Sequence, residues 1–599
     1  MAFLSNLMVR QNRVERLVSQ SVARDSSGEP CETMRVARGL LAVGGYVPYH
    51  RLERSSVREF FEAGLKRAGA DGAESGSGER PAGTKQDSRD VSKEMTSHLY
   101  RAVASYDEDT TTMGVEAARE ALRRYGDRNC RWDAIWFSSC NPAYLDKTNA
   151  TAIHSSLRLP REVAAYDFGG GLRSGVGMLK AALRTTETTL VVASDMRYAL
   201  PRSGDEIFGG DGAAALVVGE GVVYGDGGVD GDDGDVGEPR RERDELLAEF
   251  LGGASSTEEF VDRWREPGDR RSREWEARFS EDRYVELGGE AYARALEDAG
   301  IADGEVDVVA ITGMNARASR SLGNRLMRGG TVDDRVGSVA VADDLSSRTG
   351  QCGSAHPLLL LAHLVESESG ANGDGEAEGG KPAKVIVVVH LADGADALVF
   401  KTTEVARTNR VDRSIADQVG SCADISYAKF LSWRGSITTE PPRRPEPQRV
   451  SATAAWRSDA WKFGLVGSSD RGSGAIHLPP SRVSMLGGAF DEMDPIAMSG
   501  SVGTIATFTV DHMAYSPDPP VVFAVVDFDI GGRLPVELTD TSPPASAEGG
   551  AQGALEPAVA VGDEVEMTFR RLFSADGIHD YFWKARPLRA LSGRGDGRD

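Results

Sequence analysis

Apolar positions along this chain fall into two alternating patterns. Runs apolar at nearly every position occur in "AIWFSS" (134–139), "TLVVASDM" (189–196), "AAALVVGE" (213–220), "VDVVAITG" (306–313), "GSVAVADD" (337–344) and "KVIVVVHLAD" (384–393). They predict strands buried on both faces, because a half-buried strand would alternate. Between them lie helical patterns: "TTTMGVEAAREALRRYG" (110–126), "SGVGMLKAALRTT" (174–186), "GEAYARALEDAG" (289–300) and "AHPLLLLAHLVES" (355–367). Strand–helix alternation on this scale predicts a layered α/β body. From about 450 the pattern changes. "SVGTIATFTVDHMAYS", "PVVFAVVDFDIGGRLPVELTD" and "VGDEVEMTFRRLFSADGIHDYFWKARPL" alternate apolar and polar residues around Gly and Pro turns. That predicts a small antiparallel β-domain, a barrel or sandwich.

Four stretches, 68–83, 225–245, 368–383 and 542–557, hold Gly, small residues and acids with little to bury, and read as solvated loops. The second separates two α/β halves of the same kind, so an internally duplicated body is expected over about 38–404. The predicted divisions are an N-terminal extension (1–37), two halves (38–250 and 251–404), a helical and proline-rich linker (405–450) and the β-domain (451–590).

Composition narrows the function classes. A chain of 599 residues is too long for one core. No run approaches the roughly 18 apolar residues of a membrane span, and the first residues lack a sustained apolar region before a small-residue cleavage site, so a cytoplasmic protein is expected. A net charge of −23 argues against a sequence-independent hold on nucleic acid and suits the cytoplasm of a salt-loving organism. The five cysteines, Cys31, Cys130, Cys140, Cys352 and Cys422, form no Cys-x-x-Cys pair, so neither a disulfide framework nor a cysteine zinc site is indicated.

Three segments carry a family resemblance: "SYDEDTTTMGVEAAREAL" (105–122), "NPAYLDKTNATAIHSSLRL" (141–159) and "GGDGAAALVVG" (209–219). They resemble the thiolase superfamily, and within it the archaeal-type hydroxymethylglutaryl-CoA synthases. "GAIHLPPSRVS" (474–484), "GTIATFTV" (503–510) and "PPVVFAVVDFD" (519–529) resemble the ribbon-plus-OB-fold proteins that accompany thiolases and bind acyl-CoA. The resemblance implies a duplicated five-layer α-β-α-β-α body followed by an OB-fold barrel, an acyl-CoA substrate, a homodimer and a thiolase as a further partner.

The same resemblance exposes what is missing. The synthases need a Cys at a helix N-terminus, where its thiolate is favoured, with a Glu and a His to move protons. The matching turn here, "YDFGGGLRSG" (166–175), places Gly170 at the Cys; Cys140 falls at the Glu and Thr312 at the His. Polar groups remain: His356 in "GQCGSAHP", His390 in "VVVHLADG", Cys352, and Gly170, Gly171, Arg173 and Ser174 at the turn. His356, His390, Cys352 and Cys140 are the candidate catalytic residues. Gly170, Gly171, Arg173 and Ser174 are candidates to meet a phosphate or the thioester oxygen. The ribbon of the OB family normally holds zinc through two Cys-x-x-Cys pairs. Its positions here are Asp470, Ser473, Ser484 and Gly487, so no zinc and no other metal is expected. The leading expectation is non-covalent aldol or retro-aldol chemistry on a β-hydroxyacyl-CoA. The alternatives are a synthase-type acyltransferase using another Cys, and a non-catalytic acyl-CoA-binding scaffold.

Overall fold

The computed structural model describes residues 34–70, 99–125, 132–224, 245–328, 339–368 and 383–588, apart from 410, 412, 439, 441 and 544–557. The N-terminal extension up to residue 33 and most of the four Gly-rich stretches lie outside the described residues, as do Cys31 and Cys130.

The first half contributes β1 (Met34–Tyr46), β2 (Ala134–Ser138), β3 (Ala164–Phe168), β4 (Thr189–Asp195) and β5 (Gly212–Tyr224). The second contributes β6 (Ala248–Ser256), β7 (Val308–Gly313), β8 (Ala340–Val341), β9 (Val385–Leu391) and β10 (Ala395–Thr402). Their spatial orders are β1-β5-β4-β2-β3 and β6-β10-β9-β7-β8, with the same parallel and antiparallel pairings in turn. The chain is therefore duplicated strand for strand. The halves meet where Gly39 and Leu40 of β1 pair with Glu249 and Ala248 of β6. A Cβ on Gly39 would collide with the Ala248 carbonyl, so glycine permits that approach. The expected boundary at 250 falls inside β6, and the first strand starts at Met34.

Alternate residues of each central strand enter different cores, which is why these strands are apolar throughout. Leu190 and Val192 of β4 face outward to one cluster, and Val191 and Ala193 face inward to another. In β9, Val385, Val387 and Val389 face outward, and Ile386 and Val388 inward. The outer layer of the first half is α1 (Thr110–Tyr125) with α2 (Ala150–Ser156). Between the halves lies α3 (Ser174–Ala182). The outer layer of the second half is α4 (Ala277–Ala299) with α5 (Ala316–Met327), and α6 (His356–Glu366) joins α3 in the middle. Leu358 to Leu361 of α6 share a core with Val176 and Leu179 of α3 and with strands of both halves. A helix buried all round needs no polar face. The result is the expected five-layer body.

The β-domain opens with a ribbon of β11 (Val466–Asp470), β12 (Ile476–His477) and β13 (Met493–Ala497). A closed barrel follows, made of β14 (Val502–Asp511), β15 (Val521–Phe528), β16 (Arg533–Leu538), β17 (Glu564–Ala575) and β18 (Ile578–Pro587), in the order β14-β15-β16-β18-β17. Its interior residues, among them Val526, Phe569 and Trp583, belong to the same apolar cluster as α1. The barrel thus caps the outer face of the first half.

Ions fasten that joint. Asp107, Glu108 and Asp109 precede α1, and all three are buried. Arg570 donates to Glu108 (2.7 Å), Asp540 (2.9 Å) and the Tyr46 hydroxyl (3.2 Å). Lys584 pairs with Asp107 (3.0 Å) and Glu537. Tyr581 donates to Asp109 (2.8 Å), and Arg586 pairs with Glu116 (3.0 Å) and Glu566 (2.7 Å). Burial alone would raise the Asp107 carboxyl, but Lys584 and Arg570 hold it at about 2.

Candidate functional site at the sheet ends

Strand β3 ends in the glycine turn that leads into α3. Asp167 is turned away from it and accepts the backbone N–H groups of Asn149 (2.7 Å) and Ala150 (2.9 Å) at the start of α2. Gly169, Gly170 and Gly171 have no neighbour within 4 Å of where a Cβ would stand, and none of the three has a positive φ. Neither crowding nor backbone conformation requires glycine there.

The other turn residues are engaged. The Ser174 hydroxyl donates to the Gly171 carbonyl and accepts from Ser138 (3.1 Å). Arg173, expected to meet a ligand phosphate, is spent inside the protein. Its Nε donates to Asp396 (2.5 Å), Nη1 to Thr257 (3.0 Å) and the Asp393 carbonyl (2.9 Å), and Nη2 to the Ala395 carbonyl (3.2 Å). This arginine binds the start of α3 to the β9–β10 turn of the other half.

The two candidate thiols are buried. Cys140 follows β2; its backbone N–H donates to Asp195 Oδ1 (2.7 Å), and burial together with the Asp195 carboxylate pushes its thiol up. Cys352 is fully buried, its Sγ lies 3.6 Å from the Gly350 carbonyl, and burial pushes it up as well. A reactive thiolate needs a lowered pKa and access. Neither cysteine has them.

The two histidines differ. His356 Nδ1 accepts the Cys352 N–H (3.2 Å), and its Nε2 donates to the Asp344 carbonyl (2.8 Å). Both ring nitrogens are used, and burial lowers its pKa. His390 lies on the inward face of β9, directly beside Thr312 of β7 in parallel register. Its Nε2 faces the Leu172 carbonyl (3.3 Å), which can only accept, so Nε2 carries the proton. Its Nδ1 is buried and has no partner. Burial drives the ring down to about 4, so at neutral pH Nδ1 holds a free lone pair. Thr312 donates to Gln351 (3.3 Å).

Residues not anticipated complete the site. Asp195, at the end of β4, accepts from the Ser139 hydroxyl (3.0 Å), the Cys140 N–H, the Ser354 N–H (2.6 Å) and the Ser354 hydroxyl (2.9 Å). It ties the loop after β2 to the loop before α6. Arg265 donates to the Cys140 carbonyl and to Asn141. An acid closing the apolar run "TLVVASDM" was the visible signal for Asp195. Arg265 had none, because its loop approaches from the other half.

The four ribbon positions converge but do not suit zinc. Ser473 donates to Asp470 Oδ2 (2.6 Å), and the Gly487 N–H donates to Ser484 Oγ (3.0 Å). A Cβ on Gly487 would collide with Asp470 Oδ2, so no side chain could reach an ion from there. One carboxylate and two neutral hydroxyls are a poor donor set for zinc. Among the described residues, no group of three or more His, Cys, Asp and Glu is arranged to hold a metal ion. Among them also, no helix is long and apolar enough to cross a membrane.

Comparison with known proteins finds matches to parts of the chain. The family of the ChsH2 C-terminal OB-fold domain matches residues 496–570. The hydroxymethylglutaryl-CoA synthase of Pyrococcus furiosus is 33% identical over 125 residues, covering 20% of this chain and 36% of that protein. The synthase of Aeropyrum pernix is 36% identical over 126 residues, covering 20% and 34%. The chain thus spans about a third of the length of the curated relatives it matches. A solved structure of MvaS in complex with 3-hydroxy-3-methylglutaryl coenzyme A is 18% identical with a TM-score of 0.48, covering 70% of this chain and 94% of that one. Part of the chain is thus similar to hydroxymethylglutaryl-CoA synthases, and residues 496–570 match an OB-fold family.

Proposed function

We propose that this protein acts in the cytoplasm on a CoA thioester and makes or breaks a carbon–carbon bond without an acyl-enzyme. The observation that carries the reading is His390 Nδ1, a buried lone pair with no partner among the described residues at the sheet ends; the resemblance sets Gly170 at the synthases' Cys. In the cleavage direction, His390 takes the proton of the β-hydroxyl as that oxygen becomes a carbonyl. The bond between the α and β carbons breaks, and its electron pair passes into the thioester as an enolate. The donors assigned to the developing oxyanion are the N–H groups at the start of α3. The imidazolium then returns the proton to the α carbon, so ketone or aldehyde and a shorter acyl-CoA leave in balance. His356, with both nitrogens engaged, holds the Cys352 loop in place and takes no proton.

The acyltransferase alternative would need a thiolate, and burial works against one at both Cys140 and Cys352. The assay is release of a carbonyl compound from a series of β-hydroxyacyl-CoA thioesters, before and after thiol alkylation. Release that survives alkylation and falls in His390→Gln supports the reading. An acylated cysteine in the mass spectrum would replace it with the transferase, and tight binding without turnover would leave a scaffold. We further propose a homodimer paired through β3, an edge strand on which Tyr166 is 58% exposed. A thiolase partner is the corresponding expectation for the complete assembly, and copurification tests it.

A further inference from the structure

The ribbon repeats one turn twice. In the first, the Asp470 N–H donates to the Ala475 carbonyl (2.9 Å) and the Gly474 N–H to the Asp470 carbonyl (2.8 Å). In the second, the Ser484 N–H donates to the Ala489 carbonyl (2.9 Å) and the Gly488 N–H to the Ser484 carbonyl (3.1 Å). Gly474 and Gly488 take the same left-handed conformation, with φ of 72° and 68°. Twin turns of this form bring positions 470, 473, 484 and 487 face to face, the arrangement in which four thiolates close on one ion.

Here the Asp470 carboxylate occupies the middle, and the residue is only 2% exposed. Its Oδ2 accepts from Ser473 (2.6 Å) and its Oδ1 from the Gly472 N–H (2.9 Å), both within its own turn. From the opposite turn, the Ser484 hydroxyl is a third donor that lowers the same carboxyl's pKa, and Asp470 Oδ2 lies 2.2 Å from where a Cβ of Gly487 would stand. Only glycine at 487 leaves room for it.

We propose that the Asp470 carboxylate has replaced a metal ion as the cross-link between the two turns, so that the ribbon closes by hydrogen bonds alone. Charge-assisted bonds to an anion are about twice as strong as neutral ones, and three donors converge on this one. The same donors hold its carboxyl well below the usual carboxylate range. The cross-link supports more than itself, because Ile476, Leu478 and Ile496 of the ribbon pack against the cluster that contains the barrel core.

The full-length protein offers a direct readout. Arg471 and Arg482, at the two turns, are 61% and 77% exposed, so trypsin reports on whether the turns are closed. Protein purified from zinc-supplemented medium is expected to carry less than about 0.1 zinc per chain, and its cleavage at these arginines is expected to be unchanged by chelator. Asp470→Ala should be cut there on the order of tenfold faster, with Asp470→Asn between the two, since an amide keeps one acceptor oxygen. Stoichiometric zinc in the wild-type protein, chelator-induced cleavage, or an Asp470→Ala protein cut at the wild-type rate would each overturn the proposal. A variant carrying Asp470→Cys, Ser473→Cys, Ser484→Cys and Gly487→Cys should gain one zinc and become chelator-sensitive. A folded quadruple variant that binds none would also overturn it.

Discussion

The outer helices of the two halves occupy equivalent places and live in different surroundings. Twelve of the 16 residues of α1 are buried, against 8 of the 23 in α4, which keeps one apolar stripe and turns Glu281, Arg283 and Glu286 away from it. The barrel makes the difference. In a chain of net charge −23, the acids at 107–109 form the socket into which Arg570 and Lys584 fit. The inner ends of β4 and β9 differ in the same way. Each strand brings one titratable group to the site, but Asp195 has four donors and His390 keeps a buried nitrogen with no partner among the described residues. Duplication fixes the positions, and what packs against each copy decides how fully a polar group there is satisfied.

The largest effect is expected at the socket. Arg570→Ala leaves Glu108 and Asp540 buried without their counter-charge, and breaking one side of such a pair costs about 3–5 kcal/mol. Denaturant unfolding should show that loss. A cost under about 1 kcal/mol would mean that apolar contacts alone hold the barrel to α1.

His390→Gln should lower turnover by about 10²-fold or more, the usual worth of a positioned base. The pH profile sharpens this test. A free imidazole would set the acid limb near 6.5, whereas burial places the limb of His390 near 4. Stability follows the same sign: between those values the unfolded ring takes a proton that the native ring refuses, so falling pH favours unfolding through that window. The Gln variant should lose that component of the acid sensitivity.

A smaller effect separates two glycines of one turn. A Cβ at Gly175 would collide with the Ser354 carbonyl, so Gly175→Ala should cost about 1–3 kcal/mol by overpacking. Gly170→Ala meets open space, and its melting temperature should stay at the wild-type value.

Local periodicity was enough to read the layers. The β4 and β9 runs are apolar throughout because both faces are covered, and α6 reads as nearly uniform leucine because it lies between the halves. Segments whose partners come from far along the chain were harder. Among the described residues of "GSVAVADD" (339–344), only Ala340–Val341 form strand, at the sheet edge beside β7. At the site, residue types singled out His390 and Gly170 as candidates, but did not give the partners of the groups around them. Arg173 resembles a phosphate ligand until the acceptors of the β9–β10 turn are placed around it, and Asp195 gains its role only when Ser354 arrives from the second half.

The smallest expected effect is also the control on the whole comparison. Arg283 of α4 pairs with Glu258 (3.4 Å) and Glu286, and its side chain is about a third exposed. Water there screens the pair and competes for the guanidinium, so Arg283→Ala should change stability by no more than about 0.5 kcal/mol. Raised salt should shrink even that, while leaving most of the Arg570 effect, since buried pairs are screened far less. Both substitutions remove one guanidinium from a group of carboxylates beside an equivalent outer helix, three at Arg570 and two at Arg283, and burial is the main difference. If the two variants unfolded at similar denaturant concentrations, the barrel's cover would have no energetic meaning, and the contrast between α1 and α4 would reduce to one of exposure alone.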